Sequence, residues 1–156
     1  MNTAKESITF LIADDDADDR MLLQEAFDES RLANPLDFVE NGEELINYLK
    51  RANGYSHLKS EPLPGVVFLD LNMPRVDGRE ALAEIKADKT LRHVPIVVFT
   101  TSQAEEDIVN SYDLGVSGFI VKPVTFEALV DIIHSVTDYW VEVVRLPPQK
   151  SLRDQT

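Results

Sequence analysis

Residues 66–78 read VVFLDLNMPRVDG, and this stretch decides the fold. Residues 66–70 are a short apolar run that closes on an acid, Asp70. A run of that length without polar alternation fits a strand buried on both faces. Asp77-Gly78 then turns the chain into a helix over 79–87. The same unit recurs on either side. An apolar run over 8–13 (ITFLIA) precedes a helix over 16–30 whose inner side is expected to carry Leu22, Leu23, Ala26 and Phe27. A strand over 36–39 leads through Asn41-Gly42 into a helix over 43–52. A strand over 96–99 is followed by a helix over 104–114, stopped by Gly115. A strand over 118–121 is followed by the last helix, 125–139. Five β-α units in a row predict the α/β class: a doubly wound five-stranded parallel sheet, with strand order 2-1-3-4-5 expected.

The bulk numbers narrow the chemistry. The chain has 156 residues, a length that favours one domain, expected over 1–146 with a flexible polar tail over 147–156. A formal charge of −13 argues against nucleic acid, whose binding needs Lys and Arg, and against an anionic membrane surface. With no cysteine, disulfides, thiolate metal sites and a Cys nucleophile are excluded. The N-terminus carries no apolar stretch long enough for a signal peptide and no run approaches a membrane span, so a soluble cytoplasmic protein is expected. His57, His93 and His134 are scattered and match no metal spacing. The polar connection 53–64 exceeds what a minimal fold needs.

In an open parallel sheet, function gathers at the carboxyl ends of the strands. There the first strand ends in Asp14, Asp15 and Asp16, the third in Asp70, the fourth in Thr100, Thr101 and Ser102, and the fifth in Lys122-Pro123. The order 2-1-3-4-5 makes the first and third strands neighbours, so Asp14, Asp15 and Asp70 converge. Carboxylates this close repel one another and require a cation. Mg²⁺, a hard ion that takes oxygen ligands, suits them. Lys122 brings a point charge suited to phosphate, and Thr100 a hydroxyl donor. An anionic nucleophile, a metal, a lysine and a threonine together compose a phosphoryl-transfer site.

These residues resemble the receiver domain of two-component response regulators, a flavodoxin-like fold. The likeness rests on Asp14-Asp15, on Asp70-Leu71-Asn72-Met73-Pro74 followed by Asp77-Gly78, on Thr100, and on Lys122-Pro123, and it covers nearly the whole chain. It implies that Asp70 is the phosphoacceptor and that the protein assists its own phosphorylation and dephosphorylation without being an enzyme in the ordinary sense. It implies that Asp15, Asp70 and the Asn72 backbone carbonyl hold Mg²⁺ directly, with Asp14 acting through water. Lys122 and Thr100 would contact the phosphoryl group, Thr100 and Phe119 would form the switch, and the Lys122–Pro123 peptide would be cis. Gly78-Arg79-Glu80, the long 53–64 connection and the ending Asp138-Tyr139-Trp140…Leu146-Pro147 are similar to phytochrome-associated response regulators. That narrower likeness implies a phytochrome-like histidine kinase as donor. It also implies a homodimer through the fourth helix, fifth strand and fifth helix, with Ile132, Tyr139, Trp140 and Val143 as contacts. With no output module visible in the sequence, signalling is expected to proceed through a protein contact.

Blander readings of the same residues exist. Acids at 14–19 suit any helix start, and Asp16, Asp18 and Asp19 are read as capping or surface residues. Thr100, Thr101 and Ser102 could simply cap the next helix. Phe119 could be a static core aromatic. A rival from another class is a small Mg²⁺-dependent phosphatase of the haloacid dehalogenase type using Asp14 and Asp16. Against it, Asp18 stands where that family carries Thr or Val, and no acidic motif ends a strand after Lys122. A third reading, a phosphorylation-independent interaction module, conflicts with the intact set of Asp14, Asp15, Asp70, Thr100 and Lys122.

Overall fold

The computed structural model describes residues 8–30 and 34–140. Five strands, β1 (Phe10–Ala13), β2 (Leu36–Val39), β3 (Val66–Leu69), β4 (Ile96–Thr100) and β5 (Gly118–Val121), alternate with five helices. The helices are α1 (Ala17–Glu29), α2 (Gly42–Lys50), α3 (Gly78–Ala87), α4 (Glu105–Leu114) and α5 (Phe126–Asp138). Every strand pairing is parallel, and the order is β2-β1-β3-β4-β5, as expected.

The apolar runs of β1, β3 and β4 are continuous because both faces of the sheet are covered. Side chains alternate between two cores. Leu11, Val67, Leu69, Ile96 and Val98 point to the side carrying α2 and α3. Phe10, Ile12, Phe68 and Phe99 point to the side carrying α1 and α5. On that second side the rings of Phe10, Phe27, Phe68 and Phe99 form a chain of contacts with centroids 5.7–6.3 Å apart.

Two expectations are corrected here. Leu22 is not on the inner side of α1; it is 42% exposed, while Leu23, Ala26 and Phe27 are buried. Leu22 lies about 100° around the helix from Leu23, which carries it off the buried stripe. The Lys122–Pro123 peptide is trans; an X–Pro bond separates the isomers by only about 0.5–1 kcal/mol, so sequence does not set the choice. The polar 53–64 connection has structure of its own. It contains a short 3₁₀ turn, Ser56–Leu58, and is riveted by Arg51, the left-handed C-cap of α2. The buried Arg51 guanidinium donates to the carbonyl oxygens of Tyr48 (2.9 Å) and Pro62 (2.8 Å).

Of the residues expected at a dimer contact, Tyr139 is 54% exposed and Ile132 half-buried. Trp140 is buried in the α1/α5 core at the end of a π-type turn that continues α5. Val143, the end of the expected domain and the tail 147–156 lie outside the described residues. None of the described helices is long and apolar enough to cross a membrane.

Two glycines open helices at points of close approach. Asn41 and Asp77 cap α2 and α3 through side-chain oxygens, and Gly42 and Gly78 follow them. A Cβ on Gly42 would collide with the Val76 carbonyl oxygen, so the β3–α3 loop lies directly against the start of α2. Gly42→Ala is expected to lower stability by about 1–3 kcal/mol through this overpacking, read as a shift of the urea midpoint without a change of slope.

Candidate functional site

Register builds the site. Ala13 pairs with Leu69 across β1 and β3, so the next residues, Asp14 and Asp70, leave the sheet side by side. The Asp70 amide donates to the Ala13 carbonyl oxygen at 3.0 Å and fixes that step. Carboxylate oxygens of Asp14, Asp15 and Asp70 come within 4.8 Å of one another. Asp14 and Asp70 are buried, at 1% and 6% exposure, whereas Asp15 faces solvent. Behind them, a Cβ on Gly78 would strike the Asp70 carbonyl oxygen, so α3 starts against the backbone of the acidic residue itself.

Lys122 arrives from the end of β5. Its ammonium donates to Asp14 Oδ2 (2.7 Å), Asp19 Oδ2 (2.8 Å) and Asp70 Oδ2 (2.9 Å). The other Asp70 oxygen, Oδ1, accepts from the buried Thr100 hydroxyl (2.9 Å) and from the Asn72 amide (3.0 Å). Both Asp70 oxygens are therefore held, and the carboxylate has one orientation. Asp14 accepts from the Asp16 amide at 2.9 Å as well as from Lys122.

Charge in this corner is balanced locally. Burial pushes the Asp14 carboxyl above its ordinary value, and the hydrogen bond from Lys122 pulls against that shift. Burial alone would lower Lys122; its bonds to Asp14, Asp19 and Asp70 outweigh burial and hold the ammonium above its ordinary value. The three carboxylates offer hard oxygen donors at a spacing that a divalent cation can bridge, and exposed Asp15 leaves the solvent side open to it.

The structure thus brings together Asp14, Asp15, Asp70, Thr100 and Lys122, with Asn72 beside them. Phe119 is half-buried against the α2/α3 core. Asp16 caps α1, accepting from the amides of Asp18 and Asp19. Asp19 is more than a surface residue, because it shares Lys122. Its position one helical turn after Asp15 was the available signal. Arg20 also went unread. It donates to the Asp14 carbonyl oxygen at 2.8 Å and pairs with Glu40 at 3.2 Å, bracing the ends of β1 and β2. A second polar group was missed beside the site. Arg79, in the first turn of α3, forms a two-pronged bond to Asp107 of α4, both prongs 2.7 Å.

Residues 10–134 match the response regulator receiver domain family. The chain belongs to that family, the class that the sheet order and the carboxylate cluster define. Within it, the chain is similar to Response regulator Rcp1 of Synechocystis sp., with 35% identity over 140 residues, 90% of this chain and 92% of the relative. Its structure is similar to that of the phosphorylated cyanobacterial phytochrome response regulator RcpA, with a TM-score of 0.83 and 36% identity, covering 91% of this chain and 99% of the other. It is similar too to the Mn²⁺-bound form of Rcp1, with a TM-score of 0.81 and 33% identity over 90% and 99% of the two chains. The likeness to phytochrome-associated regulators expected from sequence is borne out. The dehalogenase-type alternative gains no support: Asp16 is consumed as a helix cap and Asp14 is buried beneath Lys122.

The Arg79 guanidinium and the Ser102 hydroxyl, both bonded to Asp107, hold its carboxyl down to about 2. Its folded value is below the unfolded one, so its contribution to stability is complete above pH about 4 and is lost as pH falls toward 2. Asp107→Asn is expected to be less stable than the unsubstituted protein by on the order of 1 kcal/mol at neutral pH. The two stability curves should converge between pH 4 and 2, as measured by urea unfolding across that range.

Proposed function

We propose that this protein accepts a phosphoryl group on Asp70 from the phosphohistidine of a sensor kinase. The observation that carries this reading is the Asp70 carboxylate, fixed at both oxygens and flanked by two further carboxylates and one half-buried ammonium. An Asp70 oxygen attacks phosphorus in line with the departing histidine nitrogen. The P–N bond breaks as the O–P bond forms, and the nitrogen takes the electron pair. Lys122 neutralises charge on the phosphoryl oxygens, and the Thr100 hydroxyl turns to donate to one of them. Asp15, Asp70 and the Asn72 carbonyl would hold Mg²⁺, with Asp14 contributing through water, and Mn²⁺ in the relative's structure supports an oxygen-donor site of this kind. When bound, the ion offsets the crowded negative charge and screens the phosphoryl oxygens. The same groups, with water as acceptor, serve self-dephosphorylation.

The phosphoryl group, which carries roughly −1.5 to −2 charge, then draws Thr100 away from its present partner. Half-buried Phe119 would move into the space released, re-forming the face of α4, β5 and α5. Val109 (53% exposed), Tyr112 (52%) and Val121 (38%) give that face apolar surface for a second copy of the chain, with Ile132 and Tyr139 as proposed contacts and Val143, outside the described residues, as a further one. Likeness to RcpA and Rcp1 supports a phytochrome-like histidine kinase as donor. Beside such a kinase the protein would work in the cytoplasm.

Incubation with acetyl phosphate and Mg²⁺, followed by intact-mass measurement, tests the reading. The unsubstituted protein should gain one phosphoryl group and Asp70→Asn none. Asp15→Asn should raise the Mg²⁺ needed for half-maximal labelling by about tenfold or more. Labelling that survives Asp70→Asn, or steady turnover of phosphomonoesters, would overturn it.

A further inference from the structure

Six residues close a ring of hydrogen bonds around the ends of β3 and β4. Asp70 Oδ1 accepts from the Thr100 hydroxyl (2.9 Å). The Thr100 oxygen accepts from the Ser102 amide (3.3 Å), and the Ser102 hydroxyl donates to Asp107 Oδ2 (2.7 Å). Asp107 takes both prongs of Arg79, 2.7 Å each. The Arg79 guanidinium also reaches Asn72 Oδ1 (3.4 Å), and the Asn72 amide returns to Asp70 Oδ1 (3.0 Å). The ring joins the phosphoacceptor to the first turns of α3 and α4.

α4 has little else to hold it. Of its ten residues only Ser111 is buried, and its N-cap, Ala104, has no side-chain oxygen to offer. Val109, Tyr112 and Leu114 are exposed. By contrast α3 buries Gly78, Ala81, Leu82 and Ile85. One end of the Arg79–Asp107 bond is anchored in a core, and the other grips a helix with scant packing.

We propose that Arg79 and Asp107 are positioning residues that latch α4 and the 101–104 loop in the arrangement belonging to the unmodified Asp70 carboxylate. This inference rests on the phosphoacceptor reading. The ring as seen needs Asp70 Oδ1 as a charged acceptor for two donors. An acyl phosphate at Asp70 removes that charge and presents phosphoryl oxygens that compete for the Thr100 hydroxyl. Thr100 then leaves the ring, the Ser102 amide follows it, and the Ser102–Asp107 bond is strained or lost. The latch is thereby a bias toward the unphosphorylated packing, and weakening it shifts the population toward the other.

Two variants test this: Asp107→Asn, and Arg79→Lys, which keeps the charge but loses the two-pronged geometry. Hydrogen exchange by mass spectrometry on the unphosphorylated proteins reads the latch directly. Exchange should rise in α4 and residues 101–104 of both variants by more than it rises in α1 and α5, where a general loss of stability shows by itself. Beryllofluoride with Mg²⁺ supplies the phosphoryl mimic. Its half-saturating concentration should fall by about threefold to tenfold in both variants, the range expected from a partly exposed ion pair. Unchanged α4 exchange, or titrations that coincide with the unsubstituted protein, would sink the latch alone. If the unsubstituted protein itself binds no beryllofluoride, the phosphoacceptor reading fails and the latch falls with it.

Discussion

Three carboxylates meet at the Lys122 ammonium, two from just past the ends of β1 and β3 and one from the first turn of α1. Two unit charges about 4 Å apart repel by roughly 4 kcal/mol at an effective dielectric near 20. Asp14 and Asp70 are buried beside each other, and two like charges in that position call for an opposing one. Lys122 supplies it from a position 108 residues away from Asp14 in sequence. The sheet order is what makes the meeting possible, since β1 and β3 are neighbours and β5 ends beyond β4. Stability of this corner and its chemistry are one electrostatic arrangement: the groups that balance the free carboxylates are those a phosphoryl group would engage.

Rigidity on the acceptor side comes from the backbone. The Asp70 amide is bonded to β1, its carboxylate oxygens are held by Lys122, Thr100 and Asn72, and Gly78 lets α3 press against its carbonyl. The α1/α5 side is filled by aromatic rings reaching across β1, β3 and β4. A carboxylate set in this frame has one rotamer and one direction of approach, from the solvent side where Asp15 stands.

How much of this was legible in sequence follows from the kind of signal each feature leaves. The strands were legible because a layer covered on both faces must be apolar throughout, and Phe10–Ala13, Val66–Leu69 and Ile96–Thr100 contain little else. Asp14, Asp15, Asp70, Thr100 and Lys122 were legible because each sits just at or past a strand end, and topology turns that position into proximity. Asp19 was read as helix-start chemistry, which its neighbour Asp16 does perform, and its link to Lys122 depends on where α1 leans. The Arg79–Asp107 bond spans 28 residues and two separate helices. Neither residue breaks a local pattern, so no periodicity exposes it. Leu22 failed for a smaller reason: a four-residue apolar cluster on α1 is wider than the stripe the sheet can cover. Trp140 is large and apolar at a helix end, a description that suits a core and an interface equally, and its burial within the α1/α5 cluster places it in the core.

The two sides of the sheet are not equally able to respond to a change at Asp70. Toward α1 and α5, displacement must disturb buried side chains that include Leu23, Phe27, Leu129 and Ile133, and close-packed interiors resist such motion. Toward α4, displacement meets hydrogen bonds and one ion pair, with a single buried residue on the helix. Polar links of this kind exchange partners at little net cost when a new acceptor appears nearby, because each donor trades one oxygen for another. Thr100 and Ser102 lie on that path, between Asp70 and Asp107. A charge placed on Asp70 therefore finds its compliant direction through the β4–α4 loop, toward the face where Val109 and Tyr112 are already exposed. The asymmetry of packing, more than any single hinge, is what would let a local change of charge become a change of surface.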